Sequence, residues 1–234
     1  MTEMSTMPAV LDLPDGSFFR ALAPSDRIRL REAGVTRTYR RGYMMMMEGE
    51  PSTDVAVLLK GWAKATLVTT DGVEVALRVY AAGDLFGAEA ALAGQSRRET
   101  VLALDKCTAL LIPAWRFTEL LEKIPDVART FSLAMLVRAL AADEEVRLRH
   151  ADASLRLARI LLDLAERGGT IGFDGTAIPV DLTQEDLASL LGLSRSTVSR
   201  ALHSLRQQRM IVTGYRSITI TDTDALLDVA SVTR

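Results

Sequence analysis

The stretch LTQEDLASLLGLSRSTVSRALHSLRQQRMI, residues 182–211, admits few folds. Thr183 followed by Asp186 has the spacing of a capping box, in which a hydroxyl and a carboxylate three residues apart satisfy the first free amides of a helix. Leu187, Leu190 and Leu191 give that helix one apolar face. Gly192 can turn the chain, Leu193 can pack inward, and Ser194 can cap a second helix. At about 100° per residue, with Arg195 at zero, Val198, Ala201, Leu202 and Leu205 fall at roughly 240–340°. Arg195, Ser196, Ser199, Arg200 and His203 fall at roughly 0–140°. The second helix therefore has an apolar face and an opposite face of short hydroxyls and long cations.

Charge sharpens this reading. The whole chain carries 28 Lys and Arg against 30 Asp and Glu, so bulk charge points to no partner. Between Leu187 and Thr221, however, there is no Asp or Glu, while Arg195, Arg200, Arg206, Arg209 and Arg216 all lie there. Cations gathered on one helix and the segment after it are what duplex phosphates require, because counterion release supplies much of the affinity. An exposed arginine can also hold guanine O6 and N7 with two hydrogen bonds, which adds sequence discrimination. Residues 210–212, the turn Thr213-Gly214-Tyr215-Arg216 and residues 217–221 read as a β-hairpin wing. A solvated basic helix without a partner would not explain the caps, the glycine turn, the segregated faces and the wing together. The pattern predicts a winged helix-turn-helix that binds double-stranded DNA.

Upstream, residues 55–112 are short β-type runs separated by glycines. The clearest is a hairpin of residues 64–69 and 73–80 around Asp71-Gly72, a pair that favours a type I′ turn. Val73, Val75, Leu77 and Val79 alternate with Glu74, Ala76, Arg78 and Tyr80, which predicts a buried face carrying the first set. Residues 101–104 and 109–112 add strands, and the set suggests a sandwich, roll or barrel. After Pro113 the pattern turns helical, with a short helix over 115–123. A long one then starts at Pro125 and breaks near 152–154. The long helix carries Val127, Phe131, Leu133, Leu136, Val137 and Leu140 among alanines, and Asp143→Arg147 and Glu145→Arg149 at i,i+4. Such a seam suits pairing between two chains; burial within its own domain is the alternative.

Taken in order, the Asp71-Gly72 hairpin, the string Gly83-Asp84-Leu85-Phe86-Gly87, Arg97 before Thr100-Val101, the long helix and the helix-turn-helix resemble the Crp/Fnr family of bacterial transcription regulators. The resemblance runs from about Phe18 to Asp228 and implies an α+β chain. Its expected parts are a tail over 1–16, a double-stranded β-roll sensor over 17–122, a dimerisation helix over 123–153 and a winged helix over 154–234. It implies a homodimer on a near-palindromic operator, and contact with RNA polymerase if the protein is an activator. Arg195 and Arg200 match positions at which relatives read bases, and Ser196 stands where many have a base-reading glutamate. Thr183, with Gln184 beside it, Ser194 and Thr197 match positions near phosphate. Ser199, His203 and the wing's Arg216 complete the candidate DNA surface.

The segment GAEAALAGQSRRET, residues 87–100, matches the family's phosphate-binding cassette. Gly87 matches the opening glycine and Arg97 the arginine that pairs with phosphate. Ala88 replaces the glutamate that bonds a ribose hydroxyl, and Glu89 comes one residue late, pointing the other way if the segment is extended. Arg98 and Glu99 replace the serine and the small residue after Arg97. In the long helix, Ala141 and Ala142 stand where polar residues reach the base. Each lost polar partner costs a buried nucleotide roughly 1–3 kcal/mol. Glu99 can instead pair with Arg97 or Arg98 and fill the site from within. Three readings stay open: a cyclic nucleotide (cyclic AMP or a cyclic dinucleotide) in this cassette, another small anionic effector using both arginines, and a sensor with no small ligand.

Other chemistries have little to work with. Cys107 is the only cysteine, which excludes an intrachain disulfide and a one-chain thiolate cluster and reads as a core residue. The histidines are His150 and His203, so residues 17–122 offer no metal cluster, and no nucleophile–base–acid set is visible. An enzyme and a module that controls a partner protein are the rival classes; the missing histidine cluster and catalytic set argue against the first, and the base-reading face against the second. The Met44–Met47 run reads as a strand filling an irregular core gap. No run of ~18 apolar residues marks a membrane span, and the first residues do not form a secretory signal, so a cytoplasmic location is expected.

Overall fold

The computed structural model describes residues 16–178, 181–214 and 217–231. Residues 1–15, and with them all but the last residue of the expected tail, lie outside the described residues, as do Tyr215 and Arg216 of the expected wing turn.

Two short helices, α1 (Phe18–Ala21) and α2 (Pro24–Glu32), precede a roll of eight strands. These are β1 (Val35–Tyr39), β2 (Met44–Met46), β3 (Asp54–Lys60), β4 (Ala63–Val68), β5 (Glu74–Tyr80), β6 (Leu85–Phe86), β7 (Thr100–Ala103) and β8 (Cys107–Pro113). A short helix, α3 (Ala88–Leu92), interrupts them. The strands form two antiparallel sheets, in the orders β1-β8-β3-β6 and β2-β7-β4-β5. Strand β3 reads as an unbroken apolar run, and its alternation sorts the side chains between two cores. Val55, Val57 and Leu59 pack outward with Phe18, Leu30 and Phe117, whereas Ala56 and Leu58 face the interior with Phe86 and Ala109.

The β4–β5 hairpin departs from the sequence reading in two ways. Gly72 has φ 78° and Asp71 is not at positive φ, which a type I′ turn would require of both residues. Instead the Gly72 amide bonds to the Thr69 carbonyl and the Thr69 amide to the Val73 carbonyl. The loop therefore has three residues and ends in a left-handed glycine. A bulge, with Ala65 opposite Arg78 and Thr66 opposite Ala76, also breaks the alternation. Val73 is exposed, and Val79 and Tyr80, expected on opposite sides of a buried/exposed divide, are both buried.

Helices α4 (Ala114–Lys123) and α5 (Pro125–Arg147) follow, and a 3₁₀ turn (Leu148–His150) ends α5 near the expected break. Asp152 then caps α6 (Ala153–Glu166) by accepting from the Ser154 amide. The i,i+4 pairs expected at the end of α5 do not form. Glu144 is the acid used there, pairing with Arg159 of α6 at 2.7 Å and with Arg147 at 3.9 Å.

The last unit contains β9 (Thr170–Gly172), β10 (Gly175–Ile178), α7 (Gln184–Leu191), α8 (Arg195–Gln207), β11 (Ile211–Gly214), β12 (Ser217–Ile220) and α9 (Thr223–Ser231). The wing is part of a four-stranded sheet ordered β11-β12-β10-β9, so the β9–β10 hairpin, not foreseen from the sequence, extends it. Its core of Leu157, Leu161, Leu187, Val198, Leu202 and Ile220 continues onto Trp62 and Val79 of the roll. The two units are therefore packed through β5.

Candidate nucleic-acid interface and sensor site

Helix α7 starts with a complete capping box. The Thr183 hydroxyl accepts from the Asp186 amide at 3.0 Å, and Asp186 Oδ2 accepts from the Thr183 amide at 3.0 Å. Lys64 of β4 bonds the other carboxylate oxygen at 2.6 Å. Burial works against the charge of Asp186, but Lys64 and the Thr183 amide outweigh it and hold the carboxyl below the usual range. The helix ends at Gly192, whose φ of 57° is a left-handed conformation open to glycine at no steric cost. Ser194 then caps α8 through the Thr197 amide at 3.2 Å.

Val198, Ala201, Leu202 and Leu205 of α8 are buried, and Arg195, Ser196, Ser199, Arg200 and His203 are exposed, as the helical period requires. Thr183, Gln184 and Ser194 are exposed and Thr197 is half-buried. Arg216 lies outside the described residues. Arg195 pairs with Glu185 of α7 at 2.9 Å, both side chains being exposed. Arg206 bonds the Thr213 hydroxyl at 3.1 Å and ties the end of α8 to the wing strand.

In the sensor domain the structure redistributes the expected partners. Gly87 has φ 75° and opens α3, so the cassette is helical here rather than extended. A Cβ on Gly87 would lie 2.4 Å from Arg97 Nη1, so the residue must be glycine for that arginine to approach. Arg97 is buried. Nη1 donates to the Gly87 carbonyl at 3.1 Å, and Nη2 donates to the Asp54 carbonyl at 2.6 Å and to the Asp54 carboxylate. Burial lowers the pKa of its guanidinium, and Asp54 opposes that shift.

Glu99 pairs with neither Arg97 nor Arg98. It accepts from the Tyr80 hydroxyl at 2.6 Å and lies 3.9 Å from Arg78. Burial first, and then Glu99, push the Tyr80 phenol well above its usual value. Arg98 is exposed. Glu89, carried round by α3, pairs with Arg138 of α5, which also donates to the Leu85 carbonyl at 2.7 Å and lies over the Tyr80 ring. Ala88 is fully buried in the apolar core, and Ala141 and Ala142 are exposed on α5.

The partners of the cassette that the sequence reading missed are Asp54, Arg78, Tyr80 and Arg138. Arg138 had a signal, as a cation inside a Leu/Ala helix; Asp54 had none. Cys107 is buried with its thiol pushed up to about 12 by burial and by Asp105, as befits an inert core thiol. In the Met44–Met47 run, Met46 is buried against Gly87 while Met44 and Met47 are exposed.

Comparison with known proteins agrees with this architecture. Residues 155–229 match the Crp-like helix-turn-helix domain and residues 36–124 the cyclic nucleotide-binding domain. The chain is 30% identical over 176 residues to the cAMP-activated global transcriptional regulator CRP of Pasteurella multocida, covering 74% of this chain and 83% of that one. It is 26% identical to the CRP-like cAMP-activated global transcriptional regulator of Mycobacterium tuberculosis, over 92% of this chain and 96% of that one. A CRP-family transcriptional regulator from Thermus thermophilus superimposes with a TM-score of 0.71 at 27% identity, over 84% of this chain and 97% of that one. With a roll, a long helix and a winged helix-turn-helix in this order, the chain belongs to the Crp/Fnr family of transcription regulators.

Proposed function

We propose that the protein is a homodimeric, non-catalytic, cytoplasmic regulator that reads a near-palindromic operator through two copies of α8 and needs no small molecule to do so. The observation that carries the ligand-free reading is Arg97, buried with its guanidinium taken by Asp54 and two carbonyls. A cyclic phosphate would have to displace a carboxylate already in place. Ala88, buried in the core, offers nothing to a ribose hydroxyl. These residues do not fit a cyclic nucleotide.

The domain limits that go with this reading are 1–16, 17–122, 123–153 and 154–234. Arg195 and Arg200 contact base edges, Ser199 and His203 flank them, and Thr183, Gln184, Ser194, Thr197 and the wing's Arg216 face phosphates. Ser196, where many relatives have a base-reading glutamate, leaves choice at that base pair weak. If the protein activates transcription, RNA polymerase is a further partner.

The second reading is a cyclic-nucleotide-dependent regulator, favoured by the cyclic nucleotide-binding domain match over residues 36–124. Fluorescence anisotropy on the tightest duplex selected from a random pool decides between them. Full affinity without a nucleotide, unchanged by cyclic AMP or cyclic di-GMP, supports the first. Binding that appears only with one of them overturns it.

A further inference from the structure

The segment over 182–211 carries two carboxylates, Glu185 and Asp186. Both oxygens of Asp186 are engaged, one closing the cap of α7 with Thr183 and the other receiving Lys64. Glu185 stands in the same first turn and is exposed. It reaches across to α8, where its Oε1 lies 2.9 Å from Nη1 of Arg195. An acid in the first turn of a helix is favoured by the helix dipole, which by itself accounts for a carboxylate here. Two further observations give it a role.

The first is what surrounds Arg195. The hydroxyls on either side of it are turned to one another, with Ser194 Oγ 2.9 Å from Ser196 Oγ and 2.8 Å from Thr197 Oγ1. The other base-reading candidate, Arg200, is steadied from within its own helix, Nη2 lying 3.4 Å from the Thr197 hydroxyl. Arg195 is steadied from α7 instead, through Glu185. The second observation is charge. Between Leu187 and Thr221 the chain has no Asp or Glu, yet Glu185 follows directly on Thr183 and Gln184. A carboxylate close to duplex phosphates weakens binding to any sequence, because it repels the charge that the arginines attract.

The chemistry of the pair reconciles these facts. A guanidinium is planar and has donors along more than one edge, so one that is held at Nη1 keeps other donors for a base. A side chain already held in place loses less rotamer freedom on binding than a free one. The neighbouring carboxylate also competes with phosphate for the same cation. We propose that Glu185 is a positioning residue for sequence reading: by holding Nη1 of Arg195 it aims the remaining donors at a base edge and keeps the guanidinium off the phosphates. The inference rests on the reading of α8 given above. Glu185 then lowers affinity for every duplex and raises choice at one base pair in each half-site.

The test uses the full chain and the duplex selected from the random pool. Competition binding compares it with versions substituted at each base pair of the half-sites, and with random duplex. The pair read by Arg195 is the one whose substitution weakens the unsubstituted chain and leaves Arg195→Ala unaffected. At that pair Glu185→Gln is expected to lower discrimination about fivefold, within the range for coupled side chains in contact. Random duplex should bind about threefold more tightly, since an exposed negative charge has gone. In the Arg195→Ala background, Glu185→Gln should still tighten random duplex but leave discrimination unchanged. The urea midpoint should not move, because both side chains of the pair are exposed. Unchanged discrimination in Glu185→Gln overturns the proposal and leaves the acid to the helix dipole. Raised discrimination also overturns it, since Glu185 then holds Arg195 away from the base. A variant that weakens operator and random duplex alike, with a lowered urea midpoint, makes the residue structural and overturns it too. If the unsubstituted chain shows no preference at any base pair, the reading of α8 itself fails and the proposal falls with it.

Discussion

Arg97 is a buried cation whose hydrogen bonds are all met inside the roll. A buried guanidinium needs a counter-charge, and Asp54 supplies it with an exposure of 31%. Asp54→Asn leaves the charge with carbonyl partners only. The expected loss is ~2 kcal/mol, below the range for a fully buried pair because the carboxylate is partly solvated. Glu99→Leu acts differently, removing the acceptor of the buried Tyr80 hydroxyl at an expected cost of roughly 1–3 kcal/mol. Glu99→Gln keeps an acceptor and should cost less. Urea titration of the three variants checks this, and a Glu99→Leu chain as stable as the unsubstituted one would remove the role given to Tyr80. On α8, Arg195→Ala and Arg200→Ala should each reduce the preference for operator over random duplex by ~1–3 kcal/mol per half-site. Equal preference before and after substitution, measured by competition, would move the reading face elsewhere.

Among the elements, α7 is bound from both units. Its box is closed locally by Thr183, yet the same carboxylate receives Lys64, and the Ser189 hydroxyl accepts from the Ala76 amide at 2.6 Å. Lys64→Met should leave α7 formed but weaken its seat on the roll, with a stability loss of ~1–2 kcal/mol. The pH dependence has a definite sign. The Asp186 carboxyl titrates below its unfolded value of about 3.9, so its stabilisation is complete above that pH and is lost as pH falls towards the lower folded value. Asp186→Asn should therefore destabilise the chain more at pH 7 than at pH 3. Chemical denaturation at the two pH values tests this; a constant difference would mean the carboxylate charge is not what Lys64 and Thr183 hold.

For the whole molecule, the face that α5 leaves uncovered is the one the proposed homodimer would close. Leu133, Leu136, Val137 and Leu140 are all about half exposed or more, a continuous apolar stripe on one helix. Sedimentation at micromolar concentration is expected to give twice the chain mass of 25.5 kDa, and Leu136→Asp with Val137→Asp to give the single mass. A single-mass species for the unsubstituted chain would leave the stripe to another partner. A monomeric variant should also lose most of its operator affinity, since two half-sites are then bound one at a time.

Features that local interactions define were legible in the chain alone. The caps at Thr183 and Ser194, the turn at Gly192 and the two faces of α8 rest on contacts within a few residues, so spacing is enough to read them. Strands β4, β5, β7 and β8 of the roll were legible from local pattern too, as were the limits of α4 and the break after α5, whereas β1 and β6 were not read from the sequence. Long-range packing settled which charges meet. Arg97 finds Asp54 from 43 residues away and Lys64 finds Asp186 from 122, across strand pairings whose bulges and register no local pattern encodes. The bulge at Leu77 likewise displaced the alternation in β5 that the sequence led us to expect. Glu99 lies next to two arginines in the chain and bonds neither, because the register of the roll brings it to Tyr80 and Arg78 instead.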